Sequence, residues 1–160
     1  MRTLPHTRSC FVCGAANAEG LRLTMETDGQ LVRTRFTPAH GHVGFTHTIH
    51  GGILATVLDE VMAWVCIVRS RHLAYCAEMT VRFVQTAEPG QEIVATAELT
   101  ANKRNRLFEA SAELRDASGA LLATATGKYL PIKGEVAAEF AADIEDPGEW
   151  KKLLQDPPDA

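Results

Sequence analysis

One carboxylate lies two turns into an otherwise apolar segment that opens with a histidine and two glycines. The segment runs from His50 through Gly51 and Gly52 to Asp59. Glycines weaken a helix interior, so a pair at its start indicates close approach by a backbone or a ligand. The unpaired N–H groups of a first helical turn stabilise a developing oxyanion, and an acid among apolar residues costs free energy unless it is paired or used. This combination predicts acyl-transfer or carbonyl chemistry.

Four histidines between positions 40 and 50 offer further candidates for chemistry. His50 has the properties of a general base, but it could instead fix the start of the helix by a hydrogen bond. His40, His42 and His47 are candidates for the mouth of a pocket. Four histidines also suggest a metal, but no acidic or cysteine ligand accompanies them in this stretch, so we predict no metal there.

The elements that must position these residues can be predicted from apolar periodicity. A helix is predicted from Gly51 to Arg69, and it is apolar over most of its circumference, so a sheet should wrap around it. Alternating patterns predict the strands Gly20–Asp28, Leu31–Phe36, Tyr75–Gln85, Glu92–Ala101, Arg106–Arg115 and Ala120–Ile132. Short turns link the last four strands, which should therefore pair antiparallel. The sequence predicts an α+β fold, a curved antiparallel sheet around one long central helix.

Length and charge indicate one small domain with an acidic end. We predict an N-terminal lead-in over residues 1–19, one domain over 20–134 and an acidic helical tail over 135–160. The tail has eight acids against two lysines, so with a net charge of −4 for the whole chain the remainder is mildly basic. A mildly basic domain suits an anionic small-molecule ligand. It lacks the concentrated basic surface of a nucleic-acid-binding protein.

Hydropathy and cysteine content bear on the location of the protein. No run of 18 uninterrupted apolar residues is present, so we expect no membrane span. The first residues lack the apolar stretch of a signal peptide. Four cysteines in such a chain are more typical of reduced thiols than of a disulfide framework. We therefore expect a cytoplasmic protein.

Two groups of residues resemble the hotdog-fold acyl-CoA thioesterases of the phenylacetyl-CoA thioesterase type. They are His50-Gly51-Gly52 with Leu58-Asp59 and the strand Glu78–Phe83, and Cys10-Phe11-Val12-Cys13-Gly14 with Asn17 and Gly20-Leu21. The resemblance implies the hotdog fold and hydrolysis of acyl-CoA to free acid and CoA, with no metal or organic cofactor. It implies that the Gly51 N–H polarises the thioester carbonyl and that Asp59 is the base or nucleophile, with His50 organising the helix start.

This chain departs from the family pattern at two positions. Many relatives have Asn or Gln six residues before the histidine as a second carbonyl donor, and this chain has Gly44. Some relatives hold the water with Ser or Thr on the strand after the helix, and this chain has Cys76. The resemblance also implies that a basic hairpin turn meets the phosphates of coenzyme A. The predicted substrate-binding residues are Gly52, His47, Cys76, Lys103, Arg104 and Arg106.

Two further features have a structural interpretation. Cys10 and Cys13 have the spacing of a zinc knuckle, but a structural zinc needs two more ligands, of which His6 is the nearest candidate. We therefore predict two reduced, structural thiols. Glu60 follows Asp59 and points about 100° away from it around the helix, so we predict that Glu60 is solvated or in an ion pair.

The distance between the two main candidate residues predicts an oligomer. Gly51 and Asp59 lie eight residues apart, which is about 12 Å along one helix, too far for one thioester carbonyl to contact both. A two-fold homodimer with antiparallel helices, alone or within a homotetramer, would bring Gly51 of one chain beside Asp59 of the other. Two alternatives stay open: a hotdog hydratase or dehydratase with His50 or His47 as base, and a non-catalytic acyl-CoA-binding domain. An acyl-carrier protein could also take the place of coenzyme A.

Overall fold

The computed structural model describes residues 1–145 and consists of one long helix set against an antiparallel sheet. The strands are β1 (Arg2–Thr3), β2 (His6–Thr7), β3 (Met25–Thr27), β4 (Leu31–Phe36), β5 (Val43–Phe45), β6 (Thr48–Ile49), β7 (Ala74–Phe83), β8 (Ile93–Asn102), β9 (Phe108–Asp116), β10 (Leu121–Pro131) and β11 (Ile144–Glu145). The helices are α1 (Gly51–Ser70) and α2 (Gly134–Asp143), and a 3₁₀ turn covers His40–His42. The predicted central helix and the last four predicted strands are confirmed within a few residues.

Seven strands form the main sheet in the order β1-β3-β4-β8-β9-β10-β7, and α1 packs across five of them. The helix can lie close to the sheet because the inward positions of β8, β9 and β10 are mostly alanines. The alanines on this face are Ala95, Ala97, Ala110, Ala112, Ala123 and Ala125, all buried. Val57, Leu58, Val61 and Val65 of α1 fill the space above them and are inaccessible to solvent. This confirms the predicted α+β hotdog architecture.

The helix α1 is long and apolar enough to cross a membrane by length and composition, and among residues 1–145 it is the one helix with this property. Half of that apolar segment is buried inside the protein. Its composition is therefore accounted for by its position in the core. It begins after His50 and ends at Arg71, whose φ of 61° is left-handed and whose N–H donates to the carbonyl of Ile67.

The first predicted strand, Gly20–Asp28, was too long, because the strand covers Met25–Thr27 only. Arg22 adopts a φ of 53°, which interrupts extended backbone before that point. The segment before it packs on the core, with Leu4 and Val12 buried, β1 paired to β3 and β2 paired to β11. The predicted division at residue 19 and the acidic tail remain predictions. The part of the tail from 146 to 160 lies outside the described residues.

The strand β7 lies at one edge of the sheet and, within residues 1–145, pairs with β10 alone. It is ten residues long. Apolar side chains along it and just after it are exposed, with Tyr75 and Phe83 each 51% and Val84 47% accessible. A long edge strand with exposed apolar side chains is a surface on which another chain can pair.

Candidate active site

The start of α1 is capped by the side chain of His50. His50 has extended backbone angles, and its Nδ1 accepts a hydrogen bond from the Gly52 N–H at 2.9 Å. This bond satisfies one of the donors that a helix leaves unpaired in its first turn. Among the described residues no hydrogen bond takes the Gly51 N–H. The N–H of Gly51 is therefore available to a carbonyl oxygen, while that of Gly52 is occupied.

A cavity of about 440 Å³ opens at this end of the helix. Its lining is mainly apolar and includes Phe45, Ile49, Gly51, Leu54 and Phe83. A Cβ on Gly51 would lie 3.1 Å from Cζ of Phe83, so the glycine allows this ring to approach the helix start. An apolar cavity beside an unpaired N–H can hold an acyl chain with its carbonyl at the helix terminus.

His47 and Gly44, both noted in the sequence, differ in their position relative to this cavity. His47 is exposed in the turn between β5 and β6 and is not part of the cavity lining. Gly44 lies against His50: an added Cβ would approach the Cα of His50 at 3.1 Å and its Cδ2 at 3.2 Å. A larger residue at position 44 would therefore crowd the capping histidine. This packing is a physical reason for the glycine at the position where many relatives have an amide side chain.

Asp59 is held by a tyrosine that the sequence analysis did not identify. The hydroxyl of Tyr129 donates to Oδ1 of Asp59 at 2.8 Å and lies 3.2 Å from the Asp59 carbonyl oxygen. Tyr129 is inaccessible to solvent. Burial, with a further contribution from the charge of Asp59, raises the pKa of Tyr129 well above its usual range. The phenol therefore stays protonated and acts as a donor to the carboxylate.

Regular alternation in β10 directs Tyr129 to the buried face of the sheet, as it does Ala125 and Gly127. The irregularity lies in β7: its pairing with β10 skips Ala77, so that Cys76 lies opposite Tyr129. Such bulges re-aim side chains and occur often beside active sites. A Cβ on Gly127 would lie 2.7 Å from Cε2 of the tyrosine ring, so the ring needs a glycine two residues earlier. A glycine inside an alternating strand was the available sequence signal for this site.

Cys76 is half-buried beside Asp59, and its predicted part in substrate binding stays a prediction. Burial, followed by the charge of Asp59, raises the pKa of the Cys76 thiol to about 11. The thiol is therefore protonated at neutral pH. It can offer a weak S–H donor where some relatives have a hydroxyl.

Glu60 is not solvated as predicted, and within residues 1–145 it pairs with no cation, so the prediction for this residue was wrong for the part of the chain that the structure describes. It is half-buried, accepts a hydrogen bond from Nε1 of Trp64 at 3.0 Å, and has its oxygens 3.8 and 3.9 Å from Sγ of Cys10. Burial, followed by the proximity of Cys10, raises the pKa of Glu60 to about 7. The cause is tertiary: the N-terminal segment folds over this face of α1, which helical periodicity cannot reveal.

Asp59 and Gly51 open into different cavities of one chain. The cavity at Asp59 has a volume of about 510 Å³, includes Tyr75 and Cys76 in its lining, and shares no lining residue with the one at the helix start. A further cavity, of about 560 Å³, lies on the outer face of the sheet beside Thr80 and Arg82, away from both residues. Its position gives it no link to the candidate chemistry.

The predicted basic turn joins β8 to β9 at the Asp59 end of the sheet. Phe108, the first residue of β9, pairs with Tyr129, which pairs in turn with Cys76. The side chains of Lys103, Arg104 and Arg106 are exposed, and Lys103 forms an ion pair with Glu109. The turn thus presents cations to solvent close to the strand ends that hold the acid.

Comparisons with known proteins were made for the sequence and for the fold. Residues 46–123 match the family model of the thioesterase superfamily. No curated protein sequence matched the chain. Among solved structures, the PaaI protein of the Escherichia coli phenylacetic acid degradation operon superposes with a TM-score of 0.65 at 20% identity, covering 71% of this chain and 82% of that one.

Two other solved structures have the same fold. Zebrafish thioesterase superfamily member 2 has a TM-score of 0.64 at 21% identity, covering 72% of this chain and 89% of that one. The smu.793 protein of Streptococcus mutans, bound to acetyl-CoA, has a TM-score of 0.64 at 14% identity, covering 69% and 88%. At these identities the structures establish the fold alone. Together with the family model they confirm the resemblance noted from the sequence: the chain has the hotdog fold of these thioesterases, and its residues 46–123 match the thioesterase superfamily.

Proposed function

We propose that this protein hydrolyses acyl-CoA thioesters. The observation that carries the proposal is the presence of two chemical groups on one helix, one at its start and one two turns further along. Within residues 1–145 the Gly51 N–H has no hydrogen-bond partner and lies beside an apolar cavity, and Asp59 accepts a hydrogen bond from the buried Tyr129. An oxyanion donor and a carboxylate are the two groups that this route of thioester hydrolysis requires.

In the proposed reaction the thioester carbonyl oxygen accepts the Gly51 N–H, which stabilises the negative charge that develops there. Asp59 takes a proton from a water molecule whose oxygen forms the new bond to the carbonyl carbon. When the C–S bond breaks, its electron pair stays on sulfur, and the proton on Asp59 passes to the thiolate. Alternatively, the Asp59 oxygen bonds to the carbonyl carbon first, and the C–S bond breaks with its electron pair on the leaving thiolate. Water then hydrolyses the resulting anhydride, which releases the acid, restores the Asp59 carboxylate and supplies the proton that the thiolate takes up. Both routes require the same placement of the two groups.

Each active site in this proposal is shared between two copies of the chain. Phe83, which contacts Gly51, is the last residue of β7, while Cys76, beside Asp59, is near its beginning. Antiparallel pairing of two β7 strands across a two-fold axis would bring the end of one next to the beginning of the other. Gly51 of one chain would then lie near Asp59 of the second copy. The free, apolar edge of β7 supports this arrangement.

Coenzyme A is the carrier of the acyl group in this proposal. The exposed cations of Lys103, Arg104 and Arg106 lie at the Asp59 end of the sheet and could contact its phosphates. One structural neighbour, the Streptococcus mutans protein, was solved with acetyl-CoA bound. The mainly apolar cavity at Gly51 is suited to the acyl group.

The decisive experiment replaces the acid without changing its shape. Asp59→Asn should lower kcat for acyl-CoA hydrolysis by roughly 10²–10⁴ with the fold intact, because the side chain can no longer accept a proton. The matched variant Lys103→Ala/Arg104→Ala/Arg106→Ala should raise KM and leave kcat nearly unchanged. Release of free thiol from a small acyl-CoA panel measures both. Full hydrolysis by Asp59→Asn would refute the role of Asp59, and a wild-type protein that binds acyl-CoA without hydrolysing it would refute the proposed activity.

A further inference from the structure

We propose that Cys10, Cys13 and Glu60 form a binding site for a zinc ion. One ligand atom from each, two sulfurs and a carboxylate oxygen, lies within 4.8 Å of the others. The Glu60 oxygens are 3.8 and 3.9 Å from Sγ of Cys10. Zinc bonds of about 2.3 Å to sulfur and about 2.0–2.2 Å to oxygen separate neighbouring tetrahedral ligands by roughly 3.5–3.8 Å. The cluster is therefore close to the dimensions that one zinc ion requires.

The backbone between the two cysteines is arranged to hold a thiolate. The N–H of Val12 donates to Sγ of Cys10 at 3.2 Å, and the N–H of Gly14 donates to the Cys10 carbonyl at 2.9 Å. A Cβ on Gly14 would lie only 2.3 Å from that carbonyl oxygen, so the tight turn requires glycine. Hydrogen bonds to a ligating sulfur orient it and tune its affinity for the metal, as outer-shell partners do generally.

The charges around the cluster favour a cation. Four carboxylates line the surrounding cavity, and none of its described lining residues is Lys, Arg or His. The carboxylates belong to Asp59, Glu60, Glu139 and Asp143, from α1 and α2. Partly buried negative groups are costly without a counter-charge or a metal. Thiolate ligands among them select zinc over calcium or magnesium, which prefer oxygen alone.

The fourth position of this zinc site is left to a molecule from the cavity. His6, the nearest candidate by sequence, lies elsewhere, with its Nε2 3.1 Å from Oε2 of Glu145. The bound ion would join the N-terminal segment to α1 at the residue that follows Asp59. The ion would open onto the cavity that Asp59 also lines. It takes no part in the proposed hydrolysis, and because zinc content and thiol release are measured separately, either proposal can fail without the other.

The first test is the metal content of the full-length protein purified without chelator and after zinc supplementation. We expect one zinc ion per chain by elemental mass spectrometry. Cys13→Ser should abolish it, and Glu60→Gln should weaken zinc affinity by roughly 10- to 100-fold or more, since even outer-shell changes cost that much. Cys66→Ser removes a buried thiol outside the cluster and should retain full zinc content.

A second measurement keeps the proposal falsifiable if these variants fail to fold. Cobalt added to the metal-depleted wild-type protein should produce thiolate-to-metal charge-transfer absorption, and zinc should then displace it. Stripping the metal with a chelator should also lower Tm, because a ligand bound only to the folded state stabilises it. Wild-type protein with free thiols but no bound zinc or cobalt absorption would overturn the proposal. A Cys10–Cys13 disulfide in protein purified without oxidant would do the same.

Discussion

At the scale of single residues, the contact between Tyr129 and Asp59 fixes the position of the carboxylate beside the core. The tyrosine is completely buried, and its hydroxyl meets the acid at 2.8 Å. A donor to a carboxylate favours its charged form and fixes its orientation. Cys76 adds a protonated thiol on the other strand, because its pKa is raised to about 11. In the proposed reaction these two neighbours would orient the oxygen that activates water.

The Tyr129→Phe variant tests this role of the tyrosine. It removes the hydroxyl and keeps the ring that packs beside Gly127. A hydrogen bond to a charged group contributes about 1.5–3 kcal/mol, so kcat should fall roughly 10- to 100-fold with KM little changed. Thiol release measured over a range of acyl-CoA concentrations gives both constants.

The control for this variant is Tyr75→Phe, which removes a hydroxyl from a half-exposed residue in the lining of the same cavity. It should leave kcat close to that of the wild-type protein. Unchanged activity in Tyr129→Phe would show that the 2.8 Å contact does not position the acid. A fall in Tm without any change in kcat would mark Tyr129 as a packing residue only.

At the scale of elements, the start of α1 distinguishes two interpretations of His50. Its Nδ1 accepts the Gly52 N–H, which is the role of a helix N-cap. Asparagine can perform that role but cannot act as a general base. His50→Asn should therefore retain most of the stability and activity, whereas His50→Ala should lose about 1 kcal/mol of unfolding free energy. Urea unfolding and thiol release measure the two effects. Inactive but fully stable His50→Asn would instead favour the hydratase-like assignment of His50 as base.

The elements themselves were largely predictable because their patterns are local. The apolar stripe of α1 and the alternation in β7, β8, β9 and β10 follow from side-chain periodicity, and the structure reproduces them. The exception is the predicted strand Gly20–Asp28. The side chains of this segment alternate as in a strand, but Arg22 has left-handed backbone angles, which side-chain periodicity cannot predict.

The candidate site was less predictable because its contacts are distant in sequence. Tyr129 lies 70 positions from Asp59, and Cys10 lies 50 positions from Glu60. Neither pair produces a local pattern. The family resemblance identified Asp59 and Gly51 as candidates. Only the structure showed that Tyr129 contacts Asp59 and that Glu60 lies beside Cys10 and not in solvent. The one local sequence signal for the position of Tyr129 was Gly127, a glycine within a strand.

At the scale of the whole molecule, the two candidate groups, Gly51 and Asp59, lie apart within a single chain. Gly51 and Asp59 line cavities without a common residue. The edge strand β7 reaches both ends of the site and has no second partner in residues 1–145. Two copies joined along β7 would bury the exposed Tyr75 and Phe83 and form two complete sites. In the proposed enzyme, association is therefore a condition for activity.

Mixing two inactive variants tests this shared site. Gly51→Pro removes the N–H at a position where proline suits a helix, and Asp59→Asn removes the base. Gly51→Ala is the matched control, because it places the same Cβ 3.1 Å from Cζ of Phe83 but keeps the N–H. We expect Gly51→Ala to keep substantially more activity than Gly51→Pro. The two inactive variants are then unfolded and refolded together in equal amounts.

Random pairing would make about half of the dimers mixed, since two kinds of chain combine two at a time. In each mixed dimer one site carries both substitutions, while the other combines an intact Gly51 with an intact Asp59. Roughly a quarter of wild-type activity should therefore return. If each site lay within a single chain, every site would carry one substitution and no activity would return. Mixed dimers that are confirmed by native mass spectrometry but lack activity would contradict the shared site. They would not affect the assignment of Asp59 as the acid, which the Asp59→Asn variant tests separately.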